Sequence, residues 1–312
     1  MERVHDLPLL PQLERIERAL ELRRPELAIQ LTMEQLQNYP QESDLYQLLA
    51  QAYHQQGQQL QAVESMQQAL TLDPENADAY AYYGLLLSNE FSRKEAEQSF
   101  RYALTLEPDN FLAHYWYASF LWEEKEDYQQ TLFHLEKALE QAPLDASCYT
   151  LLGLTLAKLG RIKEAEQAIE QAVSLDPEAY DTHYAKGIFT MQYVQDAEKA
   201  YPSLLEAVRL NPTDEMLRKH FAAAIGARKK GIGLLWKISF WIQRFGKKIE
   251  LIFPATVFFL FICGFAFQSN PTLGLIVTIP ILIIYAIGFL FVVLVDPLFR
   301  KMVEKEERSY KK

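Results

Sequence analysis

The sequence predicts an all-α protein: a stack of helix-turn-helix repeats followed by a transmembrane helical hairpin. Three observations carry this expectation. Prolines recur at positions 40, 74, 108, 143, 177 and 212, spaced 34 or 35 residues apart. Between them, apolar residues fall at helical spacing. Two uncharged apolar runs, 251–267 and 272–295, follow near the C-terminus, in the length class that spans a bilayer.

The prolines sit in similar contexts, Leu72-Asp73-Pro74, Leu106-Glu107-Pro108, Leu175-Asp176-Pro177 and Leu210-Asn211-Pro212. A proline stops one helix and sets the turn to the next. From Ser43 onward, Tyr46, Leu49, Ala50 and Tyr53 recur at i, i+3, i+4 and i+7, one face of a helix. Gly57 breaks the pattern, and Ala62, Met66, Ala69 and Leu70 mark a second helix. The next repeat gives Tyr80, Tyr83, Gly84 and Leu87, then Ala96, Phe100 and Ala103. After Pro143 come Tyr149, Leu152, Gly153 and Leu156, a turn at Gly160, then Ala165, Ile169 and Ala172.

This order of aromatic, Leu-Gly, Tyr, then Ala, Phe, Ala and a closing Pro resembles the tetratricopeptide repeat (TPR) family. The resemblance implies TPR-type superhelical packing. Small residues (Ala50, Gly84, Ala118, Gly153, Gly187) let the first helix, helix A, approach helix B. Alanines of helix B let the next repeat dock. Five repeats cover 43–212, two of them with a one-residue insertion in the internal turn, near Asp127 and near Gln195. Residues 1–42 are expected to form a degenerate N-terminal capping repeat, retaining Ala28 and Pro40. Residues 213–230 are expected to form a capping helix, with Thr213 and Asp214 as N-cap candidates.

The resemblance also implies that A helices line a concave face that takes a protein or peptide partner. On that face it places Gln47 and Gln51, then Tyr115 and Trp122, then Tyr184, Ile188 and Met191, a passage from polar and acidic (Asp44, Asp78) to aromatic and apolar. Repeats that clamp chaperone carboxylates use Lys, Asn and Arg there, where this chain has mostly Gln, Ala and Leu. An apolar helix or extended segment with a few basic groups suits the face better. Tyr115 and Trp122 equally suit packing inside a tight superhelix.

After the repeats the charge changes sign. Residues 1–212 carry a net −18 and residues 213–248 a net +7. Over 231–248, an apolar stripe with Trp236 and Trp241, flanked by Lys237, Arg244, Lys247 and Lys248, predicts an amphipathic interfacial helix on anionic lipid headgroups, with the basic belt beginning at 228. A plain continuation of the first span fits the same residues. The spans are expected at 249–267 and 272–295, joined by the uncharged Gln268-Ser269-Asn270-Pro271, with a charged tail at 296–312. The positive flanks predict an integral membrane protein, of a bacterial inner membrane, with the repeats and both termini cytoplasmic. The N-terminal Met1-Glu2-Arg3-Val4-His5-Asp6 lacks the apolar core of a signal peptide, in keeping with that expectation.

Other classes find little support. Clustered Lys and Arg are confined to the belt beside the apolar runs, so nucleic acid is not an expected partner. Cys148 and Cys263 are too isolated for a disulfide framework or thiolate metal site. The six histidines are dispersed; His114 and His183 stand where other repeats carry Tyr80 or Tyr149, which fits core packing. No phosphate loop, zinc-helix motif or nucleophile elbow occurs, so neither an enzyme nor a cofactor is expected. The sequence therefore predicts a membrane-anchored, cytoplasm-facing TPR scaffold or adaptor. The alternative is a structural or assembly subunit of a membrane protein complex whose hairpin packs against partner spans.

Overall fold

The computed structural model describes residues 9–90 and 92–228. It falls into two units, the first ending at Pro177 and the second beginning at Glu178. In the first unit the chain forms five helix pairs. These are α1 (Leu10–Glu21) with α2 (Pro25–Leu36), α3 (Ser43–Gln55) with α4 (Gln59–Leu72), and α5 (Ala77–Glu90) with α6 (Arg93–Leu106). Then follow α7 (Phe111–Phe120) with α8 (Tyr128–Gln141), and α9 (Ala146–Lys158) with α10 (Ile162–Leu175). The second unit holds α11 (Tyr180–Phe189), α12 (Ala197–Leu210) and α13 (Glu215–Arg228). Within each unit every helix packs on its neighbour in sequence, and α5 also packs on α7.

Local chemistry sets the helix ends. Asp73, Glu107 and Asp176, each just before a repeat proline, leave the helix at φ near −135° and ψ of 85° to 96°. A proline ring clashes with a helical residue before it and drives it there. Helices α7, α8 and α9 start on side-chain caps: Asn110, Asp127 and Asp145 accept the backbone N–H three residues on, from Ala113, Gln130 and Cys148, at 2.7–3.1 Å. Each such cap satisfies a donor that the first helical turn leaves open. At the start of α13, Asp214 does the same for Met216 and Leu217.

Within a pair, contact is closest at the small residues. A Cβ added to Gly84 would meet the Phe100 ring at 2.7 Å, and one on Gly187 would meet Leu204 at 2.4 Å. The helix-B alanines Ala62, Ala96, Ala103, Ala165, Ala172, Ala200 and Ala207 are all buried.

The 35-residue repeats differ from the 34-residue ones in their internal turn. After α3 and α9 the chain reverses at Gly57 and Gly160, both at φ 79°. In the two longer repeats helix A ends in a π-helical turn, Leu121–Lys125 and Thr190–Val194. The left-handed residue that follows is Glu126 (φ 51°) or Gln195 (φ 59°). The extra residue thus widens the last turn of helix A instead of lengthening the loop. The first of these turns is tied down by charge. Glu97 of α6 accepts from Arg101 at 2.9 Å and Tyr117 Oη at 3.3 Å, and pairs with Lys125 at 3.2 Å, while Arg93 pairs with Glu124. Burial acts to raise the Glu97 carboxyl, but bonds from Lys125 and Arg101 outweigh it and hold the group below the usual carboxylate range.

The membrane part of the sequence expectation is corrected. Among the described residues no helix is long and apolar enough to cross a membrane. The longest helices have 14 residues, or about 21 Å at 1.5 Å per residue, against the roughly 30 Å of a bilayer core. The transmembrane hairpin of the expected fold, and the integral, bacterial inner-membrane placement built on it, therefore find no support. The same holds for the lipid headgroup partner and the membrane-complex alternative. The residues assigned to spans (249–267, 272–295), interfacial helix (231–248) and tail (296–312) lie outside the described residues. So do Trp236, Lys237, Trp241, Arg244, Lys247 and Lys248.

Candidate functional site

The A helices of the first unit bring aromatic rings from three successive repeats into contact, each with the next. His54 of α3 lies edge-on to Tyr82 of α5, with centroids 6.0 Å apart, and Tyr82 lies edge-on to Trp116 of α7 at 5.3 Å. All three rings are half-buried. Tyr82 and Trp116 hold the same place in consecutive repeats, each eight residues past the repeat proline. Burial pushes the Tyr82 phenol well above its ordinary pKa, so it stays a neutral hydroxyl, able to donate and accept. Such a row offers apolar area with polar edges, the surface chemistry that anchors protein ligands.

The residues expected at the site from sequence are distributed differently. Gln47 and Gln51 share α3 and are half-buried; the Gln47 amide is engaged by Asp44, to which it donates at 3.1 Å. Tyr115 stacks parallel on Phe111, centroids 6.1 Å apart, and packs against the buried Ala118, Leu135, Ala138 and Cys148. Its neighbour Trp116 is the α7 residue in the aromatic row. Trp122 sits in the π turn, edge-on to Tyr128 at 6.4 Å, with its indole Nε1 buried and without a hydrogen-bond partner. The Lys158 ammonium lies 5.7 Å from the centroid of the same Tyr128 ring.

In the second unit, Tyr184, Ile188 and Met191 come together, but against the unit's own core of Leu204, Leu217, Phe221 and Ile225. The Tyr184 hydroxyl meets His220 Nδ1 at 3.2 Å. These side chains fasten α11 to α12 and α13. Sequence reasoning missed Tyr82 and Trp116; the signal that finds them is an aromatic residue at the same offset from the proline in two adjacent repeats.

Catalytic chemistry has no comparable assembly among the described residues. Among the described residues no group of three or more His, Cys, Asp or Glu is placed to hold a metal ion. Cys148 is buried, and desolvation first, then Asp145, pushes its thiol upward, which removes the thiolate that reactivity requires.

Comparison with known proteins agrees with the helical architecture. Residues 50–89 match the family described as TPR repeat, and residues 146–178 match the one described as tetratricopeptide repeat. DnaJ homolog subfamily C member 7 is 32% identical over 92 residues in both its Homo sapiens and Mus musculus forms. That stretch is 30% of this chain and only 18% of the length of these curated relatives. Among solved structures, the Cut9–Hcn1 hetero-tetramer of APC/C is similar over 69% of this chain and 42% of its own, with TM-score 0.62 and 18% identity. A tetratricopeptide repeat protein from Parabacteroides merdae is similar over 72% of this chain and 87% of its own, with TM-score 0.57 and 16% identity. PilW, a type IV pilus biogenesis factor, is similar over 69% and 99%, with TM-score 0.56 and 18% identity. Proteins built on such repeats are generally non-catalytic scaffolds, which is consistent with the expectation that the chain is not an enzyme. Residues 50–89 and 146–178 carry tetratricopeptide repeats, and the helices around them have the fold of tetratricopeptide repeat proteins.

Proposed function

We propose that the chain is a scaffold that binds a protein or peptide segment along the A helices of its first unit. The observation that supports this is the row His54–Tyr82–Trp116, three half-buried rings presented by three successive repeats. Rings of this kind bury large area at little entropy cost, and each desolvated anchor contributes about 2 kcal/mol. The acidic balance of residues 1–212, a net −18, favours a partner with basic groups around an apolar anchor, since charge complementarity steers encounter. Gln47 and Gln51, one to two helical turns back along α3 from His54, belong to the same proposed surface, with Tyr115 and Trp122 as flanking packing.

A displayed random-peptide library panned on the full chain tests this reading. Enriched peptides are expected to carry an aromatic or aliphatic anchor beside Lys or Arg. The pair Tyr82→Ala and Trp116→Ala is expected to weaken their binding at least tenfold, with the circular dichroism spectrum unchanged. Undiminished binding by a folded double variant would rule the aromatic row out as the site.

A further inference from the structure

In one repeat two histidines touch, and one of them stands where every other repeat has a small side chain. Six residues after the repeat prolines stand Tyr46, Tyr80 and Tyr149 in three repeats, and His114 and His183 in the other two. Nine residues before the closing proline stand small side chains, Ser65, Ser99, Ala168 and Ser203, where the repeat of His114 has His134. In the first of these repeats the Tyr46 hydroxyl donates to the Pro40 carbonyl at 3.2 Å. His114 keeps that bond with its ring, Nε2 lying 3.0 Å from the Pro108 carbonyl. A carbonyl only accepts, so Nε2 carries the proton and Nδ1 of the neutral ring is an acceptor. His134 Nδ1 lies 2.8 Å from that acceptor and must donate to it. Both rings are buried, 4% and 6% exposed.

We propose that the His114–His134 contact is a proton-gated latch that holds α7 on α8 while the pair is neutral and releases it when a further proton is taken up. A proton added to His114 Nδ1 sets two N–H donors face to face at 2.8 Å with no acceptor between them. A proton added to His134 Nε2 keeps the bond but places a cation in a nearly closed site. Around the pair stand the Tyr117 ring of α7, at 4.6 Å from the His134 centroid, and Arg101 of α6, whose charge opposes protonation of His134. Near His114 stand Lys137 of α8, which also opposes it, and the carboxylates Asp109 and Glu140, which favour it less than burial disfavours it. Burial therefore depresses both rings, His134 to about 4.

The sign follows from linkage. A depressed histidine contributes stability that is whole above its unfolded pKa of about 6.5 and is lost as pH falls toward the folded value. Because α7 also carries Trp116, release of the latch reaches the proposed binding row. The latch itself rests on the geometry of α7 and α8 and stands without that function.

Hydrogen exchange on the full chain at pH 7 and pH 5, corrected for the intrinsic pH dependence of amide exchange, reads the latch directly. Acidification is expected to increase opening of peptides from α7 and α8 by on the order of tenfold relative to those from α3 and α4. The double variant His114→Tyr, His134→Ser restores the pair found in other repeats and is expected to lose this acid response while keeping wild-type helicity. Equal protection of α7 and α8 at both pH values, or an unchanged response in the double variant, would overturn the proposal. If the variant fails to fold, the wild-type comparison decides alone.

Discussion

A Cβ built on Gly153 would stand 2.4 Å from Ile169 Cγ1. Helices α9 and α10 therefore meet where only hydrogen fits. Gly153→Leu is expected to cost about 1–3 kcal/mol by overpacking, read as a lower urea midpoint. Gly160 differs in kind, because a Cβ there meets nothing within 4 Å and the constraint is its φ of 79°. Gly160→Asn should consequently be mild, since Asn tolerates the left-handed region, whereas Gly153→Asn should not. Equal costs at the two sites would contradict this division.

Glu126 occupies, at φ 51°, the place that Gly57 and Gly160 fill in other repeats. A side chain there strains the left-handed backbone by roughly 1 kcal/mol. Glu126→Gly relieves the strain but loosens the unfolded chain, so a net gain of about 0.5 kcal/mol is expected. Differential scanning calorimetry at neutral pH should show a small upward shift in melting temperature.

Glu97, braced by Arg101 on its own helix, ties α6 to the π turn through Lys125. Its carboxyl is held low, so its contribution is present above the unfolded pKa of about 4.3 and is lost as pH falls through the folded value. Glu97→Gln is expected to cost on the order of 1 kcal/mol at pH 7, reduced by salt. Wild type and variant should converge toward pH 3. A gap that persists there would show that packing, not charge, is what the substitution removed.

Trp122 carries an indole N–H that is buried without a partner, an arrangement that costs about 1–3 kcal/mol. Trp122→Phe removes the donor and part of the ring, two effects of opposite sign, and is expected to leave stability within about 1 kcal/mol. Trp122→Ala should cost about 2 kcal/mol, because the contact with Tyr128 goes as well. Thermal unfolding of both variants separates the two contributions.

The repeat architecture was legible because proline, glycine and alanine act locally. Pro74 and Pro108 announce helix ends without reference to neighbours, and Gly84 and Gly153 announce close contact. The surface was less legible. Assigning faces by position in the repeat selected Tyr115, yet Trp116 beside it joins the row, because a one-residue step along a helix turns the side chain by about 100°. Tyr184, Ile188 and Met191 read as an open surface, but α13 supplies Phe221 and His220 to meet them, a closure that no single repeat encodes. The extra residues near Asp127 and Gln195 read as loop insertions. Hydrogen bonding favoured a widened helix instead, since Asp127 N and Asp196 N still reach the carbonyls of Leu121 and Thr190. The bilayer reading rested on the length, apolarity and basic flanks of two C-terminal runs that lie outside the described residues, and no described helix supports it.

In the first unit most contacts join helices adjacent in the chain, and the other extensive ones reach only to the next repeat; this decides how it yields to force. Pulling on the ends breaks one repeat interface at a time, since no extensive pairing reaches beyond the neighbouring repeat to share the load. Extension should proceed as a series of small rips, each releasing about one helix pair, rather than a single large rupture. A segment bound across α3, α5 and α7 would act as a splint, joining several of those steps into one.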